Sequence, residues 1–478
     1  MQFLKSMLVA AVFLSIVISA APWHEHITGI KRSMPRRAHT LMSRWPRIRY
    51  SSEEDPTIRP TAYGADPTGV ADSTAAFLQV VQVALARNTS GHHLAYGIHD
   101  LGGVTIDLGG GDYLINEPIV FPGYVGNFRI IFGTLRAGAS FPRDRWIIEI
   151  GTAYCNTGQQ ECNQDIGFEG LFLDGNQIAA GCVRLMHVMH VNFGPQMYLL
   201  NFTQSGIQLD GGHNTMIHES WFGEYMFDAP QYSVKSQNTA TAILIDSPDH
   251  YVTNTVVFSG LIGMHVKQGG ASLYTGVHTW NLQRQDGGIG ILVSARSGRF
   301  TGCYLDGTDI IFQDTEGQSF VSGFFLNGGH IVFQPQSNNQ TFSGVYIAGN
   351  TFMHAGNGND LTITVDSSSG SFGPIVDFEV VGSASNSYTY RSPQATQQVW
   401  SAQPITKWVA DFTDWLVFDT KLSPIQSIRY SFVLNGTTVF PRVVAQPADG
   451  GVVTVLTDIS VSGTMTITVD QSAHPRIH

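Results

Sequence analysis

The sequence predicts an all-β protein: a right-handed parallel β-helix with an N-terminal capping helix and a small antiparallel C-terminal β module. Two observations carry that prediction. The 478 residues include 51 Gly, only 13% are charged, and one stretch alone has a clear helical period. The middle of the chain then repeats a short apolar strand start six times, as Gly206-Ile-Gln-Leu-Asp210, Ala242-Ile-Leu-Ile-Asp246, Gly263-Met-His-Val-Lys267, Gly290-Ile-Leu-Val-Ser294, Asp309-Ile-Ile-Phe-Gln313 and His330-Ile-Val-Phe-Gln334. The starts are 36, 21, 27, 19 and 21 residues apart. Most are followed, after a polar turn, by a second strand such as Val252 to Phe258 or Phe300 to Asp306. A unit of about 20 residues making two or three short strands has too little apolar surface to fold alone, so such units stack on one another.

The elements follow in chain order. Residues 1–21 run from Met1-Gln2-Phe3-Leu4-Lys5 through an apolar stretch ending at small residues, the pattern of a secretory signal peptide. This predicts a secreted, extracellular protein with no membrane span in the mature chain. Residues 22–59 hold Lys31, Arg32, Arg36, Arg37, Arg44, Arg47 and Arg49 with little apolar periodicity, and read as a flexible basic leader. Met1 to Tyr50 carry 8 Lys/Arg against 1 Asp/Glu, so without them the formal charge falls from −11 to −18. So acidic a chain is a poor partner for nucleic acid. It also needs a local basic patch before it can hold a polyanionic glycan.

The helix is expected over Thr74 to Arg87, where Phe77, Val80, Val81 and Ala84 or Leu85 keep a helical period and Asp72 or Ser73 caps the start. Coils are expected over 60–393, with a loop insertion at Gly223 to Thr241 accounting for the 36-residue interval. Residues 394–478 read as a C-terminal β cap, pairing Ile428–Leu434 with Thr438–Val444 across Asn435-Gly436, and Val452–Leu456 with Thr464–Val469. A cap is needed because an open β-helix end is an unpaired sheet edge.

In a stack of coils, residues at one register become neighbours about 4.8 Å apart, whatever their separation in sequence. The repeat puts Asp210, Asp246 and Lys267 in one column, joined by Arg184 from the preceding coil if Val183-Arg184-Leu185 keeps step. Adjacent carboxylates repel, which separates their proton affinities into the donor and ionised partner that glycoside cleavage requires. Lys267 and Arg184 suit the carboxylates of an acidic sugar. His213 and Asp249, each three residues past a column Asp, border the same groove as supporting catalytic candidates, and His265 shares the face of Lys267. His278, beside Trp280, is a candidate sugar platform. Taken one at a time, strand-end Asp and Lys are more often solvated guards against edge pairing; the clustering of charge over consecutive coils, ending at Ser294 and Gln313, sets this column apart.

A second polar column, Asp174, Asn201, Asn281, Asp306, Asn327 and Asn350, fits turn-filling side chains that bond to the next coil. Asp174 and Asp306 therefore rank second as catalytic residues. Cys155 and Cys162 flank a polar loop and suit a disulfide, while Cys182 and Cys303 read as buried thiols. Asn88-Thr89-Ser90, Asn201-Phe202-Thr203, Asn339-Gln340-Thr341 and Asn435-Gly436-Thr437 are glycosylation sequons. His187 and His190 lack a third ligand for zinc, and Gly109-Gly110-Gly111 lacks the Lys of a phosphate loop. No metal site and no cofactor is predicted.

The block Ala62-Tyr63-Gly64-Ala65-Asp66-Pro67-Thr68-Gly69 before the helix resembles the start of the pectate-lyase-like superfamily. Together with Gly133-Thr134-Leu135-Arg136-Ala137, Gly211-Gly212-His213, Val256-Val257-Phe258-Ser259, Gly276-Val277-His278 and Tyr304-Leu305-Asp306, the chain from Pro60 to about Val469 is similar to the plant polygalacturonases of the quartet type. That resemblance implies a wall enzyme hydrolysing the α-1,4-galacturonan of pectin; the chain is expected to act as a monomer. The usual polygalacturonase strings Asn-Thr-Asp, Asp-Asp, Gly-His-Gly and Arg-Ile-Lys are absent, with Gly212-His213-Asn214 and His265-Val266-Lys267 as the nearest echoes. Two other readings fit the same residues: a Ca2+-dependent lyase that removes the C5 proton, and a β-helix that binds wall polysaccharide without cleaving it.

Overall fold

The computed structural model describes residues 56–472 apart from 88–93, 157–159, 224–238, 259, 281–288, 354–360, 387, 422 and 437–439. The signal peptide, most of the basic leader, the inserted loop, Asn281 and the sequon at Asn88 lie outside the described residues.

Of the two or three strands expected per coil, the structure shows three, as in Thr241–Asp246, Tyr251–Thr253 and Val256–Phe258. The next coil repeats the set as Ile262–Gln268, Leu273–Thr275 and His278–Trp280, each strand pairing in parallel with its predecessor. The stack is a right-handed parallel β-helix with three faces, here called the first, second and third sheets in the order the chain visits them. In the earlier coils Gly181–Phe193 and Ser205–His218 run through two sheets without a break.

The single residue at the corner between the second and third strands explains this regularity. Asn254, Gly276, Gly302 and Gly323 take left-handed backbone there, with φ of 49°, 63°, 58° and 65°. Asn and Gly are the residues that accept that conformation cheaply. The corner between the first and second sheets stacks Asn127, Asp165, His190, Asn214 and Asp249 in the same conformation, φ 53° to 61°.

Inward side chains fill the coil interior as a chain of ring contacts, here two stacked pairs joined by one edge-on contact. Tyr274, Phe300, Phe312 and Phe333 follow one another at centroid distances of 4.8, 6.0 and 5.4 Å. Each is fully buried, and a buried phenyl contributes about 1.5–3 kcal/mol. Cys182 and Cys303 are free buried thiols within this core.

The helix spans Thr74–Leu85 and buries Ala76, Phe77, Val80, Val81 and Ala84, with Phe77 edge-on to Tyr113 at 5.3 Å. Asp72, not Ser73, caps it: its Oδ1 accepts from the Thr74 N–H at 2.9 Å, while Ser73 Oγ accepts from the Asp66 N–H. No helix of the described residues is long and apolar enough to cross a membrane.

At the C-terminal end a separate antiparallel sheet forms, but not with the expected hairpins. Ser427–Leu434 pairs with the second half of one 19-residue strand, Val452–Asp470, and Val443–Ala445 pairs with the first half. Gln394–Asp411 covers the other edge of that strand. The long strand alternates buried and open residues over both halves, so each half offers an apolar face that outcompetes the local Asn-Gly hairpin.

Candidate active site

The outward face of the first sheet carries the column, at the ends of strands Gly181–Met186, Ser205–Asp210, Thr241–Asp246 and Ile262–Gln268. Asp210 and Asp246 are in register on neighbouring strands, as the repeat predicts. The two cations are not. Arg184 lies opposite Gln208, two residues before Asp210, and a bulge after Ile245 sets Gln268 rather than Lys267 opposite Asp246. Both cations still reach their carboxylates. Arg184, two residues off on the same face, crosses diagonally to place Nε 2.6 Å from Asp210 Oδ2. Lys267, displaced by the bulge, holds Nζ 3.2 Å from Asp246 Oδ2.

Two glutamines that sequence reasoning passed over complete the frame. Gln208 Nε2 donates to both oxygens of Asp210, at 2.8 and 3.0 Å, and Gln268 Nε2 donates to Asp246 Oδ1 at 3.2 Å. Arg184 is fixed from beneath by the Trp146 ring, 4.9 Å from its Cζ, and the Trp146 indole N–H donates to Ser205 Oγ. The resulting order along the coils is Arg184, Asp210, Asp246, Lys267, with each cation on the side of its carboxylate away from the other.

His265 belongs to this group. Its Nε2 bonds to Ser294 Oγ at 3.0 Å. Burial first, and the Lys267 ammonium second, push its pKa down to about 4, with Asp246 acting in the opposite sense. His265 is therefore neutral around neutral pH.

The remaining candidates lie elsewhere. His213 lies in the turn between the first and second sheets, past Gly211-Gly212 and just before Asn214, and its Nε2 sits 3.1 Å from Glu161 Oε1. Glu161 belongs to the loop closed by the Cys155–Cys162 disulfide, so the cross-link fixes the partner of His213. Asp249 is a corner residue with φ 61°, its carbonyl accepting from the Asn214 N–H and its N–H donating to Gly270 O. Its place is explained by turning the chain rather than by catalysis. Just beyond it, His250 is buried and neutral: Nδ1 accepts from the Thr215 N–H and Nε2 bonds to Ser247 Oγ, which donates to Gly211 O. Burial lowers its pKa to about 4, helped by His213.

His278, Asp174 and Asp306 stand on the third sheet, apart from the carboxylate pair. The His278 ring cannot serve as a sugar platform. Tyr304 stacks on it at 4.3 Å and 11°, and Phe258 lies against it at 6.0 Å. Asp174 is held by Arg136 and by Asn201 Nδ2, and Asp306 accepts from Asn327 Nδ2 at 2.7 Å. These are the coil-to-coil bonds expected of turn-filling residues. Among the described residues no cluster of three or more His, Cys, Asp or Glu is arranged to hold a metal ion.

The protein named polygalacturonase QRT3, from Arabidopsis thaliana, is 31% identical to this chain over 416 residues, covering 86% of this chain and 83% of that one. No protein-family model matches the chain. Among solved structures, the A-module of the mannuronan C-5 epimerase AlgE6 from Azotobacter vinelandii aligns over 70% of this chain and 99% of its own, at 11% identity and a TM-score of 0.39. The tailspike protein gp49 of Pseudomonas phage LKA1 aligns over 87% of this chain and all of its own, at 12% and 0.40. Likenesses of that size carry nothing about chemistry.

Proposed function

The chain belongs to the quartet-type polygalacturonases, the family of Arabidopsis QRT3, and from that premise we propose that it is secreted and hydrolyses the α-1,4-galacturonan of pectin. The observation that supports this reading is the carboxylate pair Asp210 and Asp246, in register on one open sheet face and flanked by Arg184 and Lys267.

The roles divide by environment. Every contact on Asp210 is a donor, from Arg184 and from Gln208, which suits it to accept a proton from the attacking water. The contacts on Asp246 are donors as well, Lys267 Nζ and Gln268 Nε2, both at 3.2 Å, but it is the more open and more loosely held of the two; once Lys267 has left it for a substrate carboxylate, it is the group that gives a proton to the glycosidic oxygen. The bond from the anomeric carbon to that oxygen breaks as the water oxygen bonds to the same carbon; one proton passes to Asp210 while another leaves Asp246. Before that step, as the chain binds, Arg184 and Lys267 turn from the two Asp side chains to its uronate carboxylates.

Purified protein of verified fold, incubated with polygalacturonate from acid to neutral pH, is expected to release reducing ends. No release anywhere in that range sinks the proposal. An unsaturated product that disappears with a chelator marks β-elimination instead.

One observation favours a second reading, in which the face binds pectin without cutting it. Both carboxylates are already closed in ion pairs, leaving the local charge near zero. Pectin binding without turnover, unaltered in Asp210→Asn and Asp246→Asn, decides for that reading.

A further inference from the structure

Five side chains on five successive coils form an unbroken hydrogen-bonded line leading away from His265. His265 Nε2 lies 3.0 Å from Ser294 Oγ, and Ser294 Oγ donates to Gln313 Oε1 at 2.7 Å. Gln313 Nε2 donates to Gln334 Oε1 at 3.0 Å, and Gln334 Nε2 to Asp366 Oδ2 at 2.7 Å. Ser294, Gln313 and Gln334 are the uncharged ends of the same repeat that supplies Asp210 and Asp246.

The line has a direction, and its far end sets it. An ionised carboxylate accepts and has nothing to donate. Asp366 is in that form: the amide of Gln334 and the Ser368 N–H hold its pKa below the usual carboxylate value. Gln334 must therefore turn its nitrogen to Asp366 and its oxygen to Gln313. That oxygen also accepts from Gln336 Nε2 at 3.1 Å, which pins it a second time. Gln313 has to follow, its nitrogen toward Gln334 and its oxygen toward Ser294. With its hydroxyl proton committed to Gln313, Ser294 offers His265 only a lone pair. His265 Nε2 must then carry the ring proton, which leaves Nδ1 as an open lone pair. Among the described residues Nδ1 has no hydrogen-bond partner. Reversing the line would set an amide oxygen against the Asp366 carboxylate.

We propose that Asp366, four coils and about 19 Å along the stack, sets the tautomer of His265, and that the lone pair so exposed on Nδ1 accepts a hydrogen bond from a sugar hydroxyl beside Asp246. The second half rests on the glycan-cleaving reading of the site; the first half does not. Asp366 and Gln334 are positioning residues that act through His265, and the neutral state of that ring keeps the lone pair available.

The test uses the full chain labelled with nitrogen-15 in histidine, with the His265 signals identified by their loss in His265→Gln. Imidazole nitrogen shifts distinguish the two tautomers directly, and a merely structural role for the ladder would not move them. The wild type is expected to carry the proton on Nε2. Gln334→Lys supplies an ammonium that donates both to Asp366 and to Gln313 Oε1, which forces Gln313 and Ser294 to turn around and moves the His265 proton to Nδ1. Gln334→Glu, which still accepts from Gln313, is expected to keep it on Nε2 and controls for loss of the amide. Thermal unfolding confirms that each variant folds. A wild-type ring protonated on Nδ1, or the same tautomer in Gln334→Lys as in wild type, overturns the first half. For the second half, the Kd for an oligogalacturonide is expected to weaken about tenfold in Gln334→Lys, the effect of one lost hydrogen bond of roughly 1.4 kcal/mol. A switched tautomer with unchanged Kd overturns that half alone. Wild-type protein that binds no oligogalacturonide overturns the glycan reading together with the second half, and leaves the first half to be decided by the nitrogen shifts.

Discussion

Asp210 and Asp246 face outward from the same register of adjacent strands, yet each is bound to a different cation, Arg184 from the coil before and Lys267 from the coil after. The arrangement is two ion pairs set back to back, carboxylate beside carboxylate, rather than two bare acids. If these two carboxylates exchange protons with substrate, removing either one costs the chemical step and spares much of the binding. Asp210→Asn and Asp246→Asn are each expected to lower kcat by about 10²- to 10⁴-fold, read as reducing ends released, with KM changed far less. An equal loss in a remote pair such as Asp306→Asn would show that the effect is not specific to this column.

Lys267 separates a stabilising role from a recognition role. Its pair with Asp246 is well exposed, with 41% and 35% of the two side chains open to water. Such a pair contributes only about 0–1 kcal/mol to folding. Lys267→Met is therefore expected to leave the unfolding temperature almost unchanged while weakening binding of an oligogalacturonide. The same variant should bind the fully methyl-esterified oligomer as the wild type does, because that ligand has no carboxylate for Lys267 to meet. Calorimetric titration with both ligands checks this, and equal weakening for the two removes Lys267 from charge recognition.

Much of the fold is legible in the sequence because its two strongest signals are local. Strand starts such as Ile243-Leu244-Ile245 declare their buried face, and the polar residue after each marks where the coil turns. Residues at one register must stack, so Asp210 over Asp246 followed from the repeat alone. What alternation does not reveal is a bulge: one residue of slip before Lys267 put Gln268 opposite Asp246, and only side-chain length restored the pairing. Nor does it reveal contacts brought in by loops, such as Glu161 on His213, or the direction of an amide. His278 misled for a related reason. Its neighbour Trp280 is visible in the sequence, but the Tyr304 ring that closes its face comes from the next coil. In the C-terminal sheet, the Asn-Gly signal lost to a strand long enough to serve partners along its whole length.

His250 makes stability depend on pH in a defined direction. It is buried and neutral, with a pKa lowered from 6.5 to about 4 by burial and, next, by His213. Between those values the unfolded chain binds a proton that the folded one refuses. Stability therefore rises with pH across that window and is lost as pH falls from 6.5 toward 4, with no further loss from this group below it. At about 1.4 kcal/mol per unit, the full window is worth roughly 3 kcal/mol. His265, depressed to about 4 as well, acts in the same sense, more weakly because it is less buried. Denaturant unfolding from pH 4 to 7 should show a shallower slope in His250→Gln than in wild type, and identical slopes would assign the pH dependence to other groups.

The turn immediately after Asp210 depends on two glycines for different reasons, and substitution separates them. Gly211 and Gly212 both have left-handed backbone, φ 76° and 78°. A Cβ on Gly211 would meet the His187 ring 2.6 Å away, whereas one on Gly212 would lie 2.1 Å from the Val188 carbonyl oxygen. A ring at a side-chain end has some room to move; a backbone carbonyl held in the sheet has little. Gly302, with φ 58° and nothing within 4 Å, isolates the conformational term. Gly302→Ala is expected to cost only the left-handed penalty, about 1–2 kcal/mol, and Gly211→Ala somewhat more. Gly212→Ala must displace the strand that follows Met186, so it should show the largest fall in unfolding temperature of the three. The same displacement would draw Asp210 out of reach of Arg184, so Gly212→Ala should lose turnover even at temperatures where it stays folded. A ranking with Gly302→Ala as the most damaging would place the strain of this corner in the backbone angle and not in the packing against the preceding coil.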